Sequence, residues 1–357
     1  MPDNTVYIAV DGIKYSGWKK LSIKKSMESL ANSFSLTVTD EDNQLSNATW
    51  KLQTQKEAVI RIGGDKIITG FIDSVRAAIT PDSHEITVAG RDKTADLIDC
   101  SYTGDQTSFS KINFLNLATE LIKPFNIPIR LKEGVNVGTT FRFTVNSGET
   151  VFAALERKAR ELGILLLTDP EGNLLLSNNT KEKADDSLIF GNNIISGDAN
   201  YTFTNRFSVY IVRGQRSGTS GSSWGGGSGI NVQGIGIDDG VSRTRPLIIR
   251  ADSQMDSSLA ERKAEWEALT RAAKSETITV MVQGFRQSSG ALWDVNKLVD
   301  IYAPPLYANP TTEMLITNME QTLDENGTRT KLTLKRADAY VAEPKATVKK
   351  QKNLGWG

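Results

Sequence analysis

Ala58-Val-Ile-Arg-Ile-Gly-Gly-Asp-Lys-Ile-Ile-Thr-Gly-Phe-Ile-Asp-Ser-Val75, followed by Glu85-Ile-Thr-Val-Ala-Gly-Arg-Asp92, sets runs of alternating apolar and polar residues around turn signals. The same plan returns in Leu298-Val-Asp-Ile-Tyr302, Glu313-Met-Leu-Ile-Thr-Asn-Met319 and Thr330-Lys-Leu-Thr-Leu-Lys-Arg-Ala-Asp338. Each copy reads as an entry strand, a return strand and a closing strand that ends in Arg and Asp. Ile72 matches Ile316 at an offset of 244, and Ile86 matches Leu332 at an offset of 246. Period-two alternation buries one face of a strand and wets the other. The chain therefore predicts one antiparallel β-module written twice, and two similar surfaces on one chain are a statement about assembly.

Outward from the first copy, Tyr7 to Val10, Leu21 with Ile23, and Phe34, Leu36 and Val38 extend the strand pattern. Asp11-Gly12 and Gly63-Gly64-Asp65 are tight-turn signals. Residues 1–103 thus predict a closed or nearly closed β-barrel. Residues 104–195 predict an α+β insert. Ile112, Leu115, Ala118 and Ile122 mark a helix over 108–125 that Pro124 stops, and a second helix starts at a Thr150 cap and ends at Gly163. A hairpin turns at Asp169-Pro-Glu-Gly172.

Residues 196–342 predict the second barrel. Phe207, Val209 and Ile211 alternate, and a Gly/Ser-rich stretch over 215–240 reads as a mobile projecting loop. A helix over 256–274 carries capping-box spacing at Ser258 and Glu261, an apolar face of Leu259, Trp266, Leu269 and Ala273, and a Glu267–Arg271 pair. Ile278, Val280 and Val282 resume β, and Asp324-Glu-Asn-Gly327 tips the last hairpin. Residues 343–357 read as a loose basic tail.

The chemical inventory is thin. Lys+Arg and Asp+Glu both number 42, so no bulk attraction to nucleic acid or an anionic membrane is expected. No apolar run is long enough for a membrane span, and Met1-Pro-Asp-Asn-Thr5 lacks the layout of a signal peptide. The one cysteine, Cys100, excludes an internal disulfide and reads as a buried small apolar residue. The one histidine, His84, sits in a turn-like run and leaves a catalytic triad nothing else to use. Gly234-Ile-Gly-Ile-Asp-Asp-Gly240 approximates a dinucleotide loop, but its third glycine falls one residue late. Asp185-Asp186 and Asp238-Asp239 lack further oxygen ligands at regular spacing and read as solvated tips. Trp18, Trp266 and Trp293 read as core, whereas Trp224 in the Gly/Ser loop suits a partner contact. Arg91 beside Asp92 and Arg336 near Asp338 end matching strands, either as local ion pairs or as repeated inter-module contacts. No catalytic residue, cofactor or metal ligand is predicted.

Further motifs carry a family resemblance. Asp11-Gly-Ile-Lys-Tyr-Ser-Gly-Trp18, Ser33-Phe-Ser-Leu36, Gly70-Phe-Ile-Asp73 and Val88-Ala-Gly-Arg-Asp-Lys-Thr-Ala-Asp-Leu-Ile-Asp-Cys100 come first. Gly148-Glu-Thr-Val-Phe152, Leu162-Gly-Ile-Leu165, Gly290-Ala-Leu-Trp-Asp-Val-Asn296 and Arg336-Ala-Asp-Ala-Tyr340 follow. In this order they resemble the baseplate hub proteins of Mu-like contractile-tail phages, relatives of late control D proteins and of VgrG hubs. The resemblance covers nearly the whole chain. It implies a homotrimer in which each subunit supplies two tube-like barrels, giving a pseudo-hexameric ring. Such a ring seats the hexameric tail tube protein on one side and a trimeric central spike protein on the other, contacts other baseplate proteins, and lets DNA pass through its lumen. It also implies assembly in the host cytoplasm and a place in the virion, at the tail baseplate. The competing readings are a tail-borne peptidoglycan hydrolase using undetected carboxylates, and a module gripping glycan or a baseplate neighbour through 104–190, where Gly148-Glu-Thr-Val-Phe152 resembles a LysM-type start.

Overall fold

The computed structural model describes residues 3–39, 52–80, 83–178, 182–216, 230–251, 255–341 and 343–344. The chain forms two compact units. One holds Met1–Asn200 with Thr277–Ala337, and the other holds Tyr201–Glu276 with Asp338–Gly357.

The first unit opens with β1 (Val6–Val10), β2 (Ile13–Tyr15), β3 (Lys20–Ser26), β4 (Ser33–Thr39), β5 (Glu57–Ile62), β6 (Asp65–Thr80) and β7 (Ser83–Asp92). Asp11 and Gly12 take φ of 50° and 80°, the positive values a two-residue hairpin turn needs. The alternation seen in the sequence is the burial pattern: Ile8, Ile23, Leu36, Ile60, Ile68, Ile72 and Val88 form one core. Across β6 and β7, Phe71 faces Arg91, Ile72 faces Gly90 and Ser74 faces Ala89. Asp73 is therefore the extra residue of a β-bulge.

Next come α1 (Ala95–Asp99), β8 (Ser108–Ile112), α2 (Phe114–Ile122), β9 (Ile129–Leu131), β10 (Phe141–Thr144), α3 (Val151–Leu162), β11 (Leu165–Thr168) and β12 (Leu174–Ser177). They enclose a core around Phe114, Leu117, Leu121, Leu155 and Leu174. Thr150 caps α3 by accepting from Ala153 N at 3.2 Å, and Gly163 ends it at φ 66°. The helix expected from 108 begins later. Residues 108–112 pair with β10, and Asn113 caps α2, accepting from Asn116 N at 2.9 Å. Cys100 is exposed, not buried: α1 ends at Asp99, and Ala95 and Leu97 are the residues of that short helix that are buried.

After β13 (Leu188–Ile189) and β14 (Ile194–Tyr201), the chain builds its second unit from β15 (Val209–Arg216), β16 (Ile230–Ile237), β17 (Pro246–Arg250) and α4 (Ser257–Lys274). The strand order is β16-β15-β17. Several expectations change here. Residues 230–237 are a strand, not loop; residues 217–229 lie outside the described part. Gly234 and Gly236 are not a phosphate cradle. A Cβ on Gly234 would sit 2.1 Å from the Ala260 carbonyl carbon, and one on Gly236 would sit 2.3 Å from Ala264 O. The glycines let α4 lie directly on β16. The buried stripe of α4 is correspondingly small, with Ala260, Ala264 and Ala268, while Leu269 is exposed and Trp266 half-buried. Asp256, not Ser258, caps α4, accepting from Leu259 N at 2.8 Å. On β15 the buried face is Tyr210 and Val212, opposite the one expected. Both faces of that strand carry apolar residues, so alternation alone does not choose between them.

The chain then returns to the first unit with β18 (Glu276–Gln283), β19 (Leu298–Ala303), β20 (Ala308–Asp324) and β21 (Gly327–Lys335). Leu315 faces Lys335, Ile316 faces Leu334 and Asn318 faces Thr333, so Thr317 is again the extra residue of a bulge. The pairing partners of Ile72 and Ile316, Gly90 and Leu334, share their offset of 244. Leu332 thus corresponds to Val88 and not to Ile86. A slip of two residues keeps the same face apolar, so the pattern in the sequence is blind to it. Among the described residues the strands do not form two closed barrels. They join one 13-stranded sheet whose main path runs β14-β18-β21-β20-β3-β4-β7-β6-β5-β1-β2.

Candidate assembly surface

The join between the two halves of that sheet is a seam inside the first unit. The early half of β20 pairs with β19, with Leu298 opposite Leu315 and Ile301 opposite Thr312. Its late half pairs with β3: Asn318 faces Ser26, Glu320 faces Lys24, Gln321 faces Ile23 and Leu323 faces Leu21. A 17-residue strand is long enough to serve both neighbours, and the bulge at Thr317 marks the handover.

The two faces of the seam differ. On the inner face Met319 and Gln321 are buried, and Leu323 packs against the core of the first module. On the outer face Ser22 Oγ donates to Glu320 Oε1 at 2.8 Å, Lys24 Nζ lies 3.3 Å from the same oxygen, and Ser26 Oγ donates to Asn318 Oδ1 at 3.0 Å. Two cations brace the flanks. Lys25 reaches Asp294 at 3.2 Å. Arg286 pairs with Asp65 at 2.6 Å and donates to Ile62 O at 3.0 Å. Ser22, Lys24, Arg286 and Glu320 do not stand out in the sequence, because cross-strand polar pairs leave no spacing signature.

The predicted contact residues are distributed differently. Arg91 does not pair with Asp92. It donates to Asp99 at 2.7 Å and to Asp73 at 2.7 Å, and these bonds hold its guanidinium even more firmly charged than usual. Asp92 turns inward instead and is buried. Its carboxylate accepts from Thr94 Oγ1 at 2.7 Å and from Asn32 N at 2.8 Å. Burial pushes its pKa up to about 6 against the pull of those hydrogen bonds. The residue facing Leu315 as Arg91 faces Phe71 is Lys335, so Arg336 stands one place beyond the match. Asp338 lies in the short 3-10 turn Ala337–Tyr340. Trp224 lies outside the described residues.

The acidic pairs are structural. Asp186 accepts from Ser288 N at 2.6 Å and Asp185 from Ser289 Oγ at 2.5 Å. In the second unit Asp238 is buried and held bidentately by Arg206 at 2.5 and 2.8 Å, a correction to its reading as a solvated tip. Among the described residues no group of three or more His, Cys, Asp or Glu side chains is placed to hold a metal ion. No helix among them is long and apolar enough to cross a membrane.

Comparison with known proteins gives three family matches along the chain. Residues 5–92 match the family described as Mu phage baseplate assembly protein GpP-like, N-terminal. Residues 94–178 match the baseplate hub protein gp44-like second domain, and residues 256–343 match the fourth domain of Mu phage baseplate assembly protein GpP. The chain is 35% identical to the baseplate hub protein gp44 of Escherichia phage Mu, over 98% of this chain and 92% of that protein. A 43 kDa tail protein of prophage MuSo2 from Shewanella oneidensis superposes with a TM-score of 0.81 at 29% identity, covering 94% of this chain and 99% of the other. A tail protein from Neisseria meningitidis shares the fold, with a TM-score of 0.77 at 22% identity over 95% and 99% of the two chains.

Proposed function

The chain belongs to the Mu-type baseplate hub family and serves as a baseplate hub, and we propose that it does so as a homotrimer of doubled β-modules. In this reading β3-β4-β7-β6-β5 and β14-β18-β21-β20-β19 are two copies of one module, each contributing to the wall of a tube. The observation that carries it is the shared register. One offset of 244 takes Ser33 to Thr277, Ile72 to Ile316, the Asp73 bulge to the Thr317 bulge, and Gly90 to Leu334.

Three chains with two modules each present six. Such a ring is threefold in its subunits and nearly sixfold in its modules, which suits it to seat a hexameric tail tube on one side and a trimeric spike protein on the other. DNA passes through the lumen without specific binding, other baseplate proteins surround the ring, and its place is the tail baseplate of the virion. Residues 104–195 form an insert domain, and Trp224, Arg336 and Asp338 are assigned to assembly contacts. The role is structural rather than enzymatic.

Native mass spectrometry of the purified chain and imaging of tail particles test this together. The expected result is a trimer at the end of the tail tube. A chain that stays monomeric at every concentration and never co-purifies with tail components overturns it.

A further inference from the structure

The seam between β20 and β3 has two unfilled counterparts, one along the far half of β6 and one at β14, which ends the sheet. Residues 318–324 of β20 lie between β21 and β3. Their register equivalents, residues 74–80 of β6, lie beside β7, and no strand of the chain pairs with their other edge among the described residues. Likewise β3 lies between β4 and β20, whereas its equivalent β14 ends the sheet with β18 as its strand neighbour. Burial follows the same division. Gln321 is buried and Leu323 half-buried, but Ala77 and Ile79 at the matching places are exposed, Ile79 by 82%.

We propose that residues 74–80 of one copy add antiparallel to β14 of a second copy, rebuilding between chains the seam that β20 and β3 make within one. The proposal rests on the doubled-module reading above and names the joint that closes it. The register follows from the internal seam. Thr202 N donates to Ser275 O at 2.9 Å, and counting back along the two strands from that bond sets Gly197 against Val280, whose Cγ1 a Cβ on Gly197 would approach to 3.4 Å, as Leu21 stands against Leu36. Carried over from Leu323 facing Leu21, Ile79 then faces the second copy's Gly197, and Ala77 faces its Ala199. Ile79 takes the place of Leu323, which packs onto the core of the neighbouring module.

Charge argues for this occupant in particular. In the internal seam Glu320 touches Lys24 directly opposite and Ser22 on the diagonal. At the equivalent places between copies stand Arg76, Asn200 and Asp198. The anion–cation pair is replaced by a cation facing a neutral residue opposite and an anion on the diagonal, so the joint has complementary charge with its sense reversed. Arg76 and Asp198 are both exposed within one chain. Open edges with this much backbone unpaired are an aggregation hazard unless a partner takes them. Each chain carries one edge of each kind, so the contact is head-to-tail, the kind that makes a ring when its rotation closes.

The experiment uses the full chain, with Cys100→Ser as background. Ala77→Cys and Ala199→Cys chains, each alone and then mixed, are oxidised and run without reductant. In parallel, native mass is measured for Arg76→Asp, Asp198→Arg and the pair combined. The expected result is a disulfide dimer from the mixture but not from either chain alone. Association of each single charge variant weakens about tenfold or more, and the combined variant recovers. Circular dichroism spectra of the single variants stay those of the wild type, since both residues are exposed within one chain. An assembled wild type with no mixed disulfide, and with single variants of unchanged mass, overturns the joint while leaving the trimeric hub standing. A wild type that is monomeric throughout and never co-purifies with tail components overturns both.

Discussion

Asn32 and Asp92 hold each other at both levels: Asp92 N donates to Asn32 O at 3.1 Å, and Asn32 N donates to Asp92 Oδ2 at 2.8 Å. This clasp sits where β7 leads into the α+β region. It continues through Thr94 Oγ1 to Thr168, whose hydroxyl donates to Leu30 O at 2.8 Å.

Asp92 gives the clasp a pH dependence. Its carboxyl titrates near 3.8 when the chain is unfolded and at about 6 when folded. Between those values the folded state binds the extra proton, so stability falls as pH rises from about 4 to 6 and is level above. The full effect is at most about 3 kcal/mol. Asp92→Asn should flatten that part of a denaturant-midpoint profile. An unchanged slope from pH 4 to 6 would show that Asp92 is not the titrating group.

Glu182 works in the opposite sense at lower pH. Hydrogen bonds from Lys132 and Lys297 hold its pKa down to about 2. Its contribution is present above about 4.5 and lost as pH falls toward 2. Glu182→Gln should make acid unfolding shallower over that range and leave the slope above pH 5 untouched. The carboxylate is half exposed, so the effect is modest and fades with salt.

Arg206 and Asp238 form a buried ion pair in the second unit, with side chains 18% and 7% exposed. Arg206→Ala strands a buried carboxylate and should cost about 3 kcal/mol. Replacing both residues by Ala should cost less than the sum of the single losses. Additive single losses in urea titrations would mean that the two side chains act independently.

Gly234→Ala drives a methyl into the backbone of α4. A loss of about 1–3 kcal/mol or more is expected. It should appear as faster hydrogen exchange in β16 and α4, with β4 and β7 unaffected. Native exchange throughout would mean that the helix shifts away without cost.

The strands around Ile72 and Ile316, the Thr150 and Gly163 caps, and the Asp324 hairpin were legible because each depends on local periodicity or a single residue's backbone preference. The closing-strand register was not, since a two-residue slip preserves every apolar contact. The small helix face of Ala260, Ala264 and Ala268 was also hidden, because it is matched to glycines on a strand that reads as loop. The sequence offers Arg91 either as half of a local ion pair beside Asp92 or as an inter-module contact; within the chain it pairs with Asp73 and Asp99. Its neighbour in sequence, Asp92, points to the other side of the strand, and period-two geometry makes that the default. The seam residues Ser22, Lys24 and Glu320 come together only through pairing nearly 300 residues apart, and no local pattern reports that.

The double duty of β20 has a mechanical consequence. Antiparallel rungs lie across the strands, so a pull along β20 strains every rung with β3 together. A peeling force at one end breaks them singly. The seam therefore resists shear along β20 and yields to peeling from one end.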